Sequence, residues 1–217
     1  MPDQKWFRKE SLRLLILGLP FIFLIIFWED FLDSFPIHWN FDGQVDRYGN
    51  KMVLLFFACL NAGIYGIFVL APRFNVSPEL NLADHDKYLN LIQTLVHLLL
   101  TYVFFLVGFM ALGYDIKAEL AIKYGLISLF LVSGTFIGQI PRNKMVGLRL
   151  PWTLRNEQIW QRTHYFTGLL WVYSSLFMLI YNFWETKYTL AFPAYLTLLI
   201  AAPIVYSYVL YKRAKNY

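Results

Sequence analysis

Between residues 141 and 164 the chain reads PRNKMVGLRLPWTLRNEQIWQRTH, and this stretch collects side chains able to bind or to catalyse. Arg142, Lys144, Arg149, Arg155 and Arg162 stand against a single acid, Glu157, with Trp152, Trp160 and His164 interleaved. Cations at that density suit phosphates or lipid headgroups, because a guanidinium offers two parallel hydrogen bonds to an oxyanion. They equally suit a positively charged loop that orients the flanking membrane spans, with tryptophans at the interface. Acid–base chemistry fits poorly: Glu157 and His164 are two helical turns apart, roughly 10 Å, too far for one to orient the other. There is no HExxH, GxSxG or phosphate-loop pattern, so no nucleophile or metal-activated water can be named and no enzymatic activity is expected.

A second concentration of polar groups is PIHWNFDGQVDRYGNK, residues 36–51. Asp42-Gly43 and Tyr48-Gly49-Asn50 are turn signals, and Ile37, Trp39 and Phe41 alternate with His38 and Asn40 as in a short strand. The expectation is a compact turn, with room for a strand pair, packed by its aromatics onto helix ends. His38, Asp42 and Asp46 match neither the calcium-loop spacing nor a paired-histidine zinc site, so no metal and no cofactor are assigned.

The elements that carry these segments are apolar. Hydrophobic residues make up 58% of the 217 and charged residues 15%, a balance a soluble domain cannot keep off its surface. An all-α integral membrane protein follows, a single membrane domain. A hydrocarbon core takes about 20 helical residues to cross, and about six runs meet that length: Leu12 to Trp28, Met52 to Ala71, Leu89 to Leu112, Leu120 to Ile140, Tyr165 to Phe183 and Thr189 to Tyr211. The first is followed by Glu29, Asp30 and Asp33 rather than a small-residue cleavage site, and reads as a retained span. Gly18 with Pro20, and Pro203, are expected to kink the first and last.

Lys and Arg gather on alternate connections: with Lys5, Arg8, Lys9 and Arg13 at the N-terminus, in 141–164, and at Lys212, Arg213 and Lys215. That bias puts both termini and the 141–164 segment in the cytoplasm, and residues 29–51 outside. The net charge of +5 then serves orientation and anionic lipid, not nucleic acid. Cys59, set in the second run, excludes an internal disulfide. Of the polar residues within spans, His97 reads as interhelical glue in preference to a proton relay.

Local signals within 141–164 predict a folded cap. Pro151 stops any helix arriving from Leu148, and Thr153 is the expected N-cap of a helix running on into the fifth span. On a helical wheel Arg155, Ile159 and Arg162 take one side, while Glu157, Trp160, Gln161 and His164 take the other. Gly147 permits a tight turn that would aim Arg149 inward, toward Glu157.

Gly147-Leu148-Arg149-Leu150-Pro151-Trp152-Thr153-Leu154, followed by Glu157, Trp160 and Thr163-His164, resembles the signature of the SdpI family of bacterial membrane immunity proteins. Leu150 stands where that signature usually has Thr. Pro36, His38, Asn40, Gly43, Asp46, Gly49 and Lys51 are similar to the outer-loop module that often accompanies it. The resemblance implies a multi-pass protein of the bacterial cell membrane that protects against a secreted peptide toxin. It also implies a possible second role, capturing a cytoplasmic winged-helix repressor when toxin is present. On that reading Arg149, Pro151, Trp152, Thr153, Glu157, Trp160 and His164 form the ligand- or partner-binding cap, and His38, Asn40, Gly43, Asp46 and Lys51 the outer surface. The alternative, from the cations alone, is a membrane enzyme or lipid-handling protein that holds an anionic phospholipid at the cap.

Overall fold

The computed structural model describes residues 4–40, 44–70, 82–143, 146–184 and 191–215. Seven helices and one strand pair follow in the order α1 (Gln4–Phe27), β1 (Phe35–Trp39), β2 (Val45–Gly49), α2 (Lys51–Leu70), α3 (Leu82–Ala111), α4 (Ala118–Ile137), α5 (Pro151–Arg155), α6 (Glu157–Trp184) and α7 (Ala191–Lys215). Among the described residues, five helices are long and apolar enough to cross a membrane: α1 from Glu10, α2, α3 from Asn90, α4 and α7. The protein is therefore a helical, multi-pass membrane protein. The remaining expected span, the fifth (Tyr165 to Phe183), lies in α6. At 28 residues it has the length, but Thr163, Thr167, Ser174, Ser175 and its tyrosines make it less apolar than the other five. Pro20 and Pro203 lie inside helices assigned without interruption.

The chain divides into two compact units, one comprising residues 1–79 and 90–121, the other 80–89 and 122–217. In the first, Phe23 is surrounded by the rings of Phe27, Phe31, Phe104, Phe105 and Phe109 at centroid distances of 4.9 to 5.9 Å. Lipid tails are as apolar as these side chains, so fit and not transfer from water holds the helices together. Gly108 makes the fit possible, since a Cβ there would lie 2.9 Å from the Phe23 ring.

Polar groups at the N-terminal end of this unit are paired inside it. Arg13 is bound to Glu10 (3.1 Å), Asn90 (3.0 Å) and Gln93, and the Tyr65 hydroxyl donates to Glu10 (3.2 Å). Arg13 is therefore a buried member of a network and not a flanking surface cation; the bonds from its Nη1 and Nη2 offset the burial of the ion pair, while its Nε is buried without a partner among the described residues. Lys123 is buried as well. His97 Nδ1 meets Asn61 Oδ1 at 2.7 Å and Asn61 Nδ2 donates to Thr101 (3.1 Å), which fits the expected role as glue between helices. Cys59 lies in α2 as expected, but its side chain is exposed.

In the second unit α4 and α6 meet through glycines. A Cβ on Gly134 would lie 3.0 Å from Gly168 O, and one on Gly138 would lie 3.2 Å from Tyr165 Cα. Small residues four apart let backbones approach to that distance. A core of Ile127, Met178, Phe192, Tyr195 and Leu199 forms beyond the crossing. There Ser175 and Tyr195 share a hydrogen bond of 2.7 Å, and Trp171 Nε1 donates to Leu199 O at 3.0 Å.

Candidate functional site

Residues 139–164 form a knot: among the described residues its buried side-chain polar atoms have hydrogen-bond partners, the Thr163 hydroxyl excepted. Asn143 staples the loop after α4: its side-chain amide donates to Pro141 O (2.8 Å) and Val146 O (3.1 Å), and its Oδ1 accepts the Val146 N–H (2.7 Å). Gly147 then takes φ +114°, a conformation costly for any residue with a Cβ. A Cβ there would also be driven into His164 and to 3.0 Å from the Trp160 ring. The turn delivers the Leu148 N–H to His164 Nε2 at 2.9 Å.

His164 and Trp160 are the centre of the knot. Both are fully buried and their rings stack at 4.0 Å and 21°. Trp160 Nε1 donates to Ile140 O (2.8 Å). His164 Nδ1 lies 2.8 Å from Trp160 O. A carbonyl accepts only, so Nδ1 carries the proton and Nε2 is the acceptor for Leu148. Burial lowers the pKa of this imidazole, with the hydrogen bond to Trp160 O pulling weakly the other way. Geometry and burial agree on a neutral ring with both nitrogens engaged, leaving no free lone pair for a metal or a substrate proton.

The helix that follows departs from expectation. Pro151 occupies the first position of α5, where its missing N–H costs nothing. Thr153 sits two residues further in as a bracing residue rather than an N-cap: its hydroxyl accepts the Leu150 N–H (3.0 Å) and donates to Leu148 O (2.6 Å). α5 ends after one turn because Asn156 is extended, at φ −134° and ψ 118°. Asn156 Oδ1 then accepts the Ile159 N–H (3.0 Å) and starts α6. The faces of α6 divide differently from the expected wheel: Ile159, Trp160, Thr163 and His164 share the buried face, whereas Glu157, Gln161 and Arg162, with Arg155 before the break, are exposed.

Arg149 does not turn inward to Glu157. Leu148 and Leu150 are half-buried on either side of it, whereas Arg149 itself is exposed. Arg142 takes the expected role, with Nε donating to Glu157 Oε2 (2.8 Å) and Nη1 to Leu154 O (2.7 Å). Both side chains of this pair are largely exposed, so it contributes no more than about 1 kcal/mol. Trp152 fastens α5 to α7: Nε1 donates to Ser207 Oγ (3.0 Å) and the ring stacks on Tyr211 at 5.8 Å. Lys144 lies outside the described residues. Arg142 and Asn143 were not among the expected site residues; Asn143 between Pro141 and Gly147 is the local signal for the turn it makes.

The second candidate surface is an antiparallel hairpin. Phe35 pairs with Gly49, Pro36 with Tyr48, His38 with Arg47 and Trp39 with Val45, with irregularities on both sides of His38. Phe35 is fully buried in the phenylalanine core, and Trp39 packs on Leu106, Met110 and Ala118. The aromatics thus fix the hairpin to the helix ends as expected. His38 Nδ1 meets Asp46 Oδ1 at 2.5 Å, and the Asn40 side chain accepts the Gln44 N–H at 2.9 Å. Lys51 donates to Trp28 O (3.2 Å) and lies 4.8 Å over the Trp28 ring. Asp42 and Gly43 lie outside the described residues.

Residues 139–207 match the SdpI/YfhL protein family, a span that opens on the knot and runs through α7 to Ser207, the partner of Trp152. The knot and the two helices that hold it are thus the part of the chain that is similar to that family. Residues 15–62, containing the hairpin, match a domain of unknown function, DUF1648. Across almost its whole length the chain is 23% identical to the Immunity protein SdpI of Bacillus subtilis (strain 168), over 209 residues covering 95% of this chain and 97% of that protein. No solved structure matches. The SdpI-family segment and the DUF1648 segment fall in separate compact units, the first within residues 122–217 and the second within residues 1–79.

Proposed function

We propose that this protein confers immunity on a bacterial cell against a secreted peptide toxin, with the 35–49 hairpin as the outer, toxin-facing surface and the 139–164 knot on the cytoplasmic side. The observation that carries the reading is the similarity to an immunity protein along nearly the entire length of both chains. A knot built for rigidity supports a non-catalytic role: His164, its best candidate for acid–base work, spends both nitrogens on internal hydrogen bonds. What the knot offers outward is Arg149, Arg155 and the Arg142–Glu157 pair, a charged surface held in place by a packed interior.

The finer reading is that this surface captures a cytoplasmic winged-helix repressor when toxin is bound. Toxin can favour capture only if it binds the capture-competent state more tightly than the other. The test places the gene in a toxin-sensitive strain and measures survival against Arg149→Ala and Arg155→Ala, substitutions at exposed positions that spare the fold. Survival with the parent chain and killing of the Arg149→Ala strain at equal membrane abundance is the expected result. Equal survival of parent and variants removes the knot surface from the mechanism, and death of both removes immunity to that toxin. Relocation of a fluorescent repressor to the membrane on toxin exposure tests capture separately. The alternative of anionic-lipid binding finds better support along α7 than at Arg149 and Arg155.

A further inference from the structure

We propose that the second unit holds one anionic phospholipid in a cleft along α7, its phosphate between Arg162 and Arg213. The cleft has a volume of about 920 Å³, within the range of sites that bury a small ligand. Its wall is apolar, made by Leu198, Ala201 and Ala202 among others, and its only charged lining groups are those two arginines. Tyr206 also lines it and is backed by Phe166 from α6, the rings stacked at 4.4 Å and 28°. Arg162 comes from the first turns of α6, and Arg213 from the last turn of α7 beside Lys212 and Lys215.

Charge complementarity selects the occupant. Among the described residues neither arginine has an acidic partner, so two guanidiniums stand exposed at the rim of an apolar trough. A guanidinium is suited to a phosphate, which it grips through two parallel hydrogen bonds. The trough suits a hydrocarbon chain: its lining runs along α7 from Ala194 to Arg213, roughly 28 Å of helix, more than one leaflet of a core about 30 Å thick. A free anion would leave the trough unfilled, and an apolar peptide would leave the arginines unanswered. Only an amphiphile with an anionic head uses both. This inference does not rest on the immunity reading, and it moves lipid recognition from Arg149 and Arg155 to a different pair.

The experiment is native mass spectrometry of the full chain released from vesicles of equal phosphatidylglycerol and phosphatidylethanolamine. One phosphatidylglycerol per chain is the expected result. Arg162→Gln with Arg213→Gln should reduce its retention tenfold or more, on the scale of two basic groups acting on an anionic lipid. Ala201→Trp, which fills the trough and leaves both arginines, should reduce it comparably, while Arg155→Gln on α5 should not. Equal retention of the two lipids, or undiminished retention in both the arginine and the tryptophan variants, means annular lipid only and overturns the proposal. So does inorganic phosphate that binds the lipid-free chain with the same dependence on the arginines but not on Ala201, or a peptide found in the cleft instead.

Discussion

Gly147 illustrates how a single backbone angle can organise a site. Its φ of +114° points the Leu148 N–H at His164, and the space where a Cβ would stand is taken by the His164 and Trp160 rings. Gly147→Ala should therefore cost about 1–3 kcal/mol from overpacking alone, with backbone strain in addition. Limited proteolysis should report it as faster cleavage within 141–150. His164 gives a second prediction with a definite sign. Its folded pKa is depressed by burial, whereas in the unfolded chain it titrates near 6.5, an approximate reference value. The unfolded state therefore binds more protons in the interval between the two. The stability the neutral ring contributes is complete above about pH 6.5 and is lost as pH falls through the folded value. The protease resistance of the knot should decline on acidification in the parent chain and be flatter with pH in His164→Asn.

At the level of elements, the short helix α5 exists as a bracket. It is a single turn, far too short to be stable by itself, and is held by Thr153 on one side and by Trp152 against α7 on the other. Trp152→Phe keeps the ring contacts with Tyr208 and Tyr211 and removes the bond to Ser207. It should cost on the order of 1 kcal/mol, as should Ser207→Ala. The double variant should cost little more than either alone, measured by thermal unfolding in detergent; full additivity would mean that the bond contributes nothing. The proline and the tryptophans of this stretch were legible in the sequence. The break at Asn156 was harder to see, because an asparagine inside a helical pattern reads as a weak helix former until its side chain is found capping the next turn. The expected helical wheel put Ile159 with the arginines because it sorted the faces by charge; within α6 Ile159 lies at the edge of the buried side, next to Thr163 and Trp160.

For the whole molecule, the orientation argued from charge yields a direct measurement. With Cys59 replaced by Ala, a membrane-impermeant thiol reagent should label a cysteine placed at Tyr48 from outside intact cells, and should reach one placed at Arg149 only after permeabilisation. Labelling of both positions from outside would reverse the assignment. The apolar runs, the hairpin and the special character of 141–164 were all written in the sequence, because span length, turn residues and strand alternation are local properties of consecutive residues. Pairing is not local. Which cation meets Glu157, that Arg13 is buried against Glu10, Asn90 and Gln93, and that His164 is spent on Leu148 and Trp160 depend on residues distant in the chain. Tertiary packing left Arg149 exposed and gave Arg142 its place beside Glu157; no count of charges along a chain carries that information, because every cation in the segment satisfies the same local rule.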